Sequence, residues 1–289
     1  MCGIVGYVGA WNAAPVLLSG LSRLEYRGYD SAGIAVSDLR DGENRIEILK
    51  AKGRLQALKE MTDNGKAVSG TCGIGHTRWA THGEPSVANA HPHCSKDKRI
   101  VVVHNGIIEN YKELKEYLQK KGFVFQSETD TEVVAHLLDY YYKGNPLEAI
   151  ARALGHIRGS YALGILFKDQ PGKIYAVRKD SPLIIGRSEN GNFIASDVPA
   201  ILKYTKNVCY ISDMEIAELT KDTITFYYVD QEVLEKEFRT VEWDAKSAEK
   251  GGFEHFMLKE IYEQPKAVAD TIHPRIKDGK IVIEELGLS

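Results

Sequence analysis

The cysteine at the second position of the chain is the residue whose type and place best suit it to chemistry. An initiator methionine before a small residue is normally removed, and removal here would leave Cys2 with a thiol and a free α-amine. Since an α-amino group has a pKa of about 7.7 to 8.0, it can serve as a base for the thiol near neutral pH. The position therefore predicts a nucleophile, and the alternative is a small buried apolar residue near the chain end.

A thiol that attacks an amide needs hydrogen-bond donors for the negative charge that develops on the carbonyl oxygen. Asn105 and Gly106 follow a predicted strand and place a side-chain amide beside a backbone N–H group. This pair is a candidate for those donors. Asn-Gly is also a common turn at the end of a strand, so the dipeptide alone leaves both interpretations open.

Two further segments contain groups that could hold an amino acid by its charged ends. In the segment 76–83, Arg78 offers the two-pronged donor that suits an α-carboxylate, and Trp79 could shield the site from water. Asp130 precedes a predicted helix, where a carboxylate either caps the helix or receives a substrate ammonium. Spacing does not separate these two roles.

Other groupings point to different chemistry. A hydrolase of the Cys–His type could use Cys72 with His76 or His82. The run from His91 to Cys94 supplies atoms that bind metals, but it lacks the paired spacing of structural zinc sites. The glycines at positions 3, 6 and 9 do not have the spacing of a dinucleotide loop and are interpreted as close packing of an N-terminal strand.

The elements that must position these residues follow from hydrophobic periodicity. The predicted strands cover residues 3–8, 33–36, 45–50, 73–77, 99–104, 161–167, 173–177, 183–186, 193–195, 208–211, 215–219, 223–229 and 280–283. The predicted helices cover residues 12–26, 54–62, 109–121, 131–143, 146–156 and 253–271, and residues 79–98 form a long loop. Grouped strands with helices between them predict an α+β layered sandwich with mainly antiparallel sheets.

Composition and charge indicate a globular protein and argue against binding to nucleic acid or membranes. The 289 residues are 43% hydrophobic and 27% charged, which is ordinary for a globular chain. A net charge of −3 provides no field for nucleic acid or an anionic membrane. Residues 2–22 carry no charge but are interrupted by glycines and a proline, so we expect neither a membrane span nor an export signal there. We therefore expect a cytoplasmic protein. The four cysteines form no C-x-x-C pair and are expected to be free thiols.

Five motifs in one order resemble the class II glutamine amidotransferases, a family of N-terminal-nucleophile enzymes. They are Cys2-Gly3-Ile4-Val5-Gly6, the segment 27–33, the segment 76–83, His104-Asn105-Gly106 and Thr129-Asp130-Thr131-Glu132, and together they cover about residues 2–239. The resemblance implies a four-layer αββα sandwich. It also implies that Cys2, freed of Met1, attacks the side-chain amide of glutamine and forms a thioester, releasing ammonia and then glutamate.

The resemblance assigns roles by motif position and implies neither a cofactor nor a metal. Asn105 and Gly106 would form the oxyanion hole. The glutamine would be held by Arg78, Thr81 and His82 at its carboxylate and by Asp130 at its ammonium, with Trp79 on a mobile closing loop and Arg27 near the nucleophile.

Within the family, the segments 25–31 and 256–265 look most like the branch that delivers ammonia to fructose 6-phosphate to make glucosamine 6-phosphate, in hexosamine biosynthesis. We therefore expect a glutaminase domain over residues 2–240, then a linker and the first elements of a truncated sugar-phosphate isomerase domain over 241–289. Expected ligands are L-glutamine and glutamate, and the missing isomerase domain would accept the ammonia. The full-length enzyme is expected to be a homodimer that binds neither nucleic acid nor membrane, and this chain alone to be a glutaminase only.

Overall fold

A computed structural model describes residues 2–242, 252–277 and 279–283. The chain divides into two compact units, Met1–Glu242 and Trp243–Ser289. The strands of the first unit are β1 Gly3–Gly9, β2 Ser31–Arg40, β3 Glu43–Lys52, β4 Cys72–Arg78, β5 His93–Cys94, β6 Ile100–Ile108, β7 Gly159–Phe167, β8 Ile174–Lys179, β9 Ile184–Ser188, β10 Gly191–Ala195, β11 Asn207–Tyr210, β12 Ile216–Leu219, β13 Ile224–Tyr227, β14 Val233–Leu234 and β15 Arg239–Thr240. Its α-helices are α1 Ala13–Ser22, α2 Leu55–Met61, α3 Tyr111–Lys120, α4 Thr131–Tyr141 and α5 Pro146–Leu154.

The strands of the first unit form two sheets in which neighbouring strands are antiparallel. The eight-stranded sheet has the order β15-β11-β9-β10-β1-β4-β2-β3, and the seven-stranded sheet has the order β14-β13-β12-β8-β7-β6-β5. Strand β1 therefore lies inside its sheet, between β10 and β4. Cys2, which precedes β1, therefore lies at the end of a strand that is paired on both sides.

Alternation along the strands explains why the sheets pack face to face. Ile4 and Val8 of β1 belong to the same buried cluster as Val101 and Val103 of β6, so that cluster fills the space between the sheets. Helix α1 covers the outer face of the eight-stranded sheet, where Val5 meets the helix. A second cluster joins the outward residues of β6 and β7 to α3, α4 and α5. The layers run helix, sheet, sheet, helix, which confirms the predicted αββα sandwich.

The first helix is shorter than the predicted range 12–26. It ends at Ser22, and a 3₁₀ turn over Glu25–Arg27 follows. Asn12 occupies the N-cap position as expected, but its side chain does not cap the helix. Its Nδ2 donates to the carbonyl oxygen of Val68 at 2.8 Å instead, so the residue ties the helix start to the chain before β4.

Of the two interpretations left open for Asn105 and Gly106, the turn is wrong, because β6 continues through both residues. They pair with Ala162 and Tyr161 of β7. Gly106 has a φ of +125°, a region that favours glycine, and a Cβ added there would lie 2.1 Å from the carbonyl oxygen of Ser160. The neighbouring strand, rather than a turn, therefore requires glycine at this position.

The second unit contains helix α6 Phe256–Ile272 and a short hairpin of β16 Ile276–Lys277 and β17 Lys280–Ile281. The helix agrees with the predicted range 253–271 to within a few residues. The predicted linker, residues 244–252, lies outside the described residues except for Gly252. In the part of the chain that is described, no helix combines the length and the apolar character needed to cross a membrane.

Candidate active site

One cavity of about 320 Å³ brings together the nine site residues that the family resemblance implies. This volume is within the range of small-molecule sites. The nine predicted residues on its wall are Cys2, Arg27, Arg78, Trp79, Thr81, His82, Asn105, Gly106 and Asp130. They come from strands of both sheets, from the 3₁₀ turn after α1, from the loop after β4 and from the start of α4, so the sandwich assembles them.

The pairing of β1 with β4 explains the position of Cys2. Gly3 lies opposite Thr77, which brings Cys2 beside the residues that follow β4. The Sγ atom of Cys2 accepts a hydrogen bond from the backbone N–H of Trp79 at 3.2 Å. Burial raises the pKa of the Cys2 thiol, and the Trp79 hydrogen bond acts in the opposite direction. The resting group is therefore a thiol that needs a base before it can attack.

Asn105 connects the second sheet to this cysteine. Its Nδ2 donates to the backbone carbonyl oxygen of Cys2 at 3.1 Å. On the other side of the amide, Oδ1 lies 3.0 Å from Nε2 of His76. The Asn105 side chain thus lies beside the nucleophile with its donor group on the Cys2 side.

The Arg78 guanidinium forms hydrogen bonds with the backbone of the loop that follows β4. It donates to the carbonyl oxygens of His82, of Gly83 at 2.8 Å and of Glu84 at 3.4 Å. A carboxylate oxygen of Asp30 lies 3.9 Å away. Several of the five guanidinium donors are therefore used to curl residues 79–84 around the cavity, which brings Thr81 and His82 to its wall.

The carboxylate of Asp130 does not cap α4, although Asp130 occupies the N-cap position. Its Oδ2 accepts a hydrogen bond from the backbone N–H of Ile108 at 2.8 Å, which links the helix start to the end of β6. Asp130 is buried and lines the cavity. Of the two roles left open by its spacing, side-chain capping is wrong.

Arg27 and Trp79 lie at the edge of the cavity. Nη2 of Arg27 lies 2.8 Å from Oδ2 of Asp197, an ion pair that holds the guanidinium from the chain segment after β10. The Trp79 side chain is 49% exposed and packs edge-on against Tyr29 at 5.3 Å between ring centroids. The Trp79 indole is therefore half open to solvent.

Sequence reasoning missed other residues of the wall, including His91, Thr131, Ser181 and Ser196. Ser196 follows β10, the neighbour of β1, and its Oγ accepts the N–H of Ile4 at 3.0 Å. Thr131 lies inside the motif 129–132 and His91 opens the run 91–94, but no motif marks Ser181 or Ser196. A usable signal is the rule that the ends of neighbouring strands meet, but it applies only when strand order is known.

The other two chemical hypotheses find little support in the fold. Cys72 lies at the opposite end of β4 from Arg78 and is absent from the cavity wall, and burial raises the pKa of its thiol to about 12. His76 and His91 stack on each other with 4.1 Å between ring centroids. Among the described residues, no three His, Cys, Asp or Glu side chains are grouped to hold a metal ion.

Comparison with known proteins agrees with this geometry. Residues 76–203 match the model of a glutamine amidotransferase domain. The whole chain is 56% identical to a glutamine–fructose-6-phosphate aminotransferase (isomerizing) of Clostridium acetobutylicum and covers 47% of that protein. The chain belongs to the class II glutamine amidotransferases. The corresponding aminotransferase of Thermococcus kodakarensis is 50% identical over 99% of the chain, which again covers 47% of that relative.

The fold of this amidotransferase also has a solved counterpart. A glutamine phosphoribosylpyrophosphate amidotransferase from B. subtilis superimposes with a TM-score of 0.67 and 25% sequence identity. The match covers 80% of the present chain and 50% of that structure. The chain spans about half the length of the curated relatives it matches.

Proposed function

We propose that this chain is a glutaminase domain that hydrolyses the side-chain amide of L-glutamine through Cys2. The observation that carries the proposal is the single cavity in which a cysteine at the chain start lies beside the Asn105 amide, with Asp130 on the same wall. The family and the names of its relatives support glutamine as the substrate.

The proposed reaction begins when the α-amine of processed Cys2 takes the thiol proton. The sulfur forms a bond to the amide carbon, and the oxygen of the tetrahedral intermediate accepts hydrogen bonds from Nδ2 of Asn105 and the N–H of Gly106. The C–N bond then breaks as the protonated amine returns its proton to the leaving nitrogen, releasing ammonia. Water attacks the γ-glutamyl thioester with the same base, which frees glutamate and restores the thiol.

The charged groups on the wall suit the two ends of the amino acid. Asp130 is the acceptor for the ammonium, since it is a buried carboxylate on the cavity wall. Thr81 and His82 face the carboxylate end, with Arg78 holding their loop and adding positive charge. We assign loop closure to Trp79 and a position beside the nucleophile to Arg27.

We also propose that the domain supplies ammonia within a longer protein, because the relatives it matches are about twice its length and are named for fructose 6-phosphate amination. Residues 2–240 would be the glutaminase domain, and 241–289 the linker and first elements of a sugar-phosphate isomerase domain that accepts the ammonia to make glucosamine 6-phosphate. The homodimer and the cytoplasmic location remain predictions, as does the absence of nucleic-acid binding.

The deciding experiment measures glutamate release from glutamine together with the intact mass of the protein. We expect Met1 to be absent and Cys2→Ala to abolish activity, whereas Cys94→Ala, a change at a half-buried thiol off the cavity wall, leaves it unchanged. Full activity in Cys2→Ala would overturn the proposal. Retained Met1 with glutamine binding but no turnover would indicate a ligand-binding domain instead.

A further inference from the structure

His76 lies behind the oxyanion donor and takes no part in the mechanism above. It belongs to β4, two residues before Arg78, and its side chain is completely buried. His76 lies two residues after Ile74 and therefore on the same face of β4, and the Ile74 side chain lies in the cluster between the two sheets. The imidazole therefore reaches from one sheet toward the other, where β6 carries Asn105.

The surroundings of the ring determine which nitrogen carries the proton. Nε2 of His76 lies 2.9 Å from the backbone carbonyl oxygen of His104, and this oxygen can only accept a hydrogen bond. Nε2 must therefore be protonated. Nδ1 is buried without a hydrogen-bond partner among the described residues, which fits a bare nitrogen, and burial lowers the pKa of His76 to about 3. The ring is neutral, with its one proton on Nε2.

The position of that proton determines the orientation of the Asn105 amide. The one Nε2–H is shared between the His104 carbonyl oxygen and the amide atom at 3.0 Å. An amide N–H could not face that hydrogen, so the amide atom that faces His76 is Oδ1. Its NH₂ group then points the other way, where it meets the Cys2 carbonyl oxygen at 3.1 Å. This oxygen also requires a donor, so both neighbours of the amide demand the same orientation.

The ring itself is held by further contacts. His76 stacks on His91 at 28° between ring planes, and Nε2 of His91 lies 2.8 Å from the Thr131 hydroxyl. The same hydroxyl lies 2.9 Å from Nδ1 of His104. Movement of the His76 ring would therefore disturb its packing against His91. These contacts hold the Nε2–H of His76 in one position beside the Asn105 amide.

We propose that His76 is a positioning residue: its Nε2–H holds the Asn105 amide so that the NH₂ group, and not the carbonyl oxygen, faces the reacting carbonyl. The inference rests on the proposed glutaminase function. An amide turned around would present oxygen to the developing oxyanion and replace attraction with repulsion. Loss of one such donor lowers the rate about 10²- to 10³-fold. An amide that can turn still donates part of the time, so the rate should fall by less than this.

The test compares two amide substitutions of different reach. His76→Gln can place an N–H close to the position of Nε2, whereas the shorter His76→Asn cannot. We expect His76→Asn to lower kcat about 10- to 100-fold with KM for glutamine within about twofold. We expect His76→Gln to remain within about fivefold of the unmodified enzyme in kcat. Equal losses in the two variants would overturn the proposal.

A double substitution separates positioning from packing. In an Asn105→Ala background there is no amide to orient, so adding His76→Asn should lower kcat by less than about twofold. Losses that multiply would mean that His76 acts as a core residue, contrary to the proposal. If the unmodified protein releases no glutamate, the proposed function fails while the orientation of the ring remains measurable.

That measurement uses the unmodified protein and does not depend on any variant folding. Long-range ¹H–¹⁵N correlation spectra distinguish a protonated from a bare ring nitrogen. We expect Nε2 of His76 to carry the proton at pH 7 and Nδ1 to be bare. A proton on Nδ1, or a charged ring, would overturn the assignment of the Asn105 amide.

Discussion

The α-carbon of Gly106 faces the carbonyl oxygen of Ser160 so closely that a Cβ added to it would lie 2.1 Å from that oxygen. Glycine at this position also has a φ of +125°, which L side chains rarely adopt. Because both atoms of the close approach belong to backbone, no side chain can move aside to relieve it. The backbone next to Asn105 can therefore adopt this geometry only with glycine at position 106.

We expect Gly106→Ala to lower the free energy of unfolding by about 3 kcal/mol or more and to remove glutaminase activity, since strain and overlap add. The matched control is Gly144→Ala, because Gly144 has a φ of +97° but nothing within 4 Å of an added Cβ. That change should cost only about 1–2 kcal/mol and leave activity intact. Urea denaturation and glutamate release measure both quantities. Equal costs for the two variants would contradict the overlap.

Asp130→Asn should keep the fold and weaken glutamine binding. The amide oxygen of asparagine can still accept the Ile108 N–H, but the negative charge proposed to meet the substrate ammonium is lost. Since an unpaired buried charge costs about 2 kcal/mol or more, we expect KM to rise about 30-fold or more. Glu128→Gln is the control, because Glu128 lies two residues away and off the cavity wall. An unchanged KM in Asp130→Asn would remove Asp130 from the ammonium role.

Arg78→Lys should loosen the loop that carries Thr81 and His82. Lysine cannot reproduce a planar group that donates to several carbonyl oxygens at once. We expect kcat/KM for glutamine to fall up to about 100-fold, because small displacements of positioning groups have effects of that size. Arg45→Lys, at an exposed arginine that pairs with Glu43, should have no effect. If the two variants behave alike, the loop does not depend on the guanidinium.

Buried histidines should make stability fall as the solution becomes acidic. Burial lowers the pKa of His76 to about 3 and lowers the pKa values of His91, His93 and His104 as well. The unfolded chain takes up protons near pH 6.5 and the folded chain does not, so the unfolded state binds more protons and stability rises with pH in this range. Each histidine contributes up to about 1.4 kcal/mol per pH unit.

The measurement is the free energy of unfolding in urea at pH 7, 6 and 5, above the ordinary range of carboxylates. We expect it to fall progressively as the pH drops below about 6.5. His91→Asn should flatten the dependence by the share of one histidine. A free energy that stays constant from pH 7 to pH 5 would show that these imidazoles are charged, or reached by water, in the folded state.

Much of the fold followed from local pattern. Short apolar runs located the principal strands, including β1 and β7, and their separation from the helices predicted the layered sandwich. The boundaries that failed did so for tertiary reasons. β6 runs on through Gly106 because β7 supplies partners there, and Asn12 does not cap α1 because Val68 offers a better-placed acceptor.

The sequence by itself determined which groups are available: a cysteine at the start of the chain, an Asn-Gly pair, an arginine before a loop and an acid before a helix. Their types and order were enough to indicate the family. Only the tertiary structure decided how they meet, because contacts such as His76 with Asn105, or Arg27 with Asp197, join residues far apart in the chain. Strand order and the stacking of two sheets create those contacts, and no local pattern encodes them.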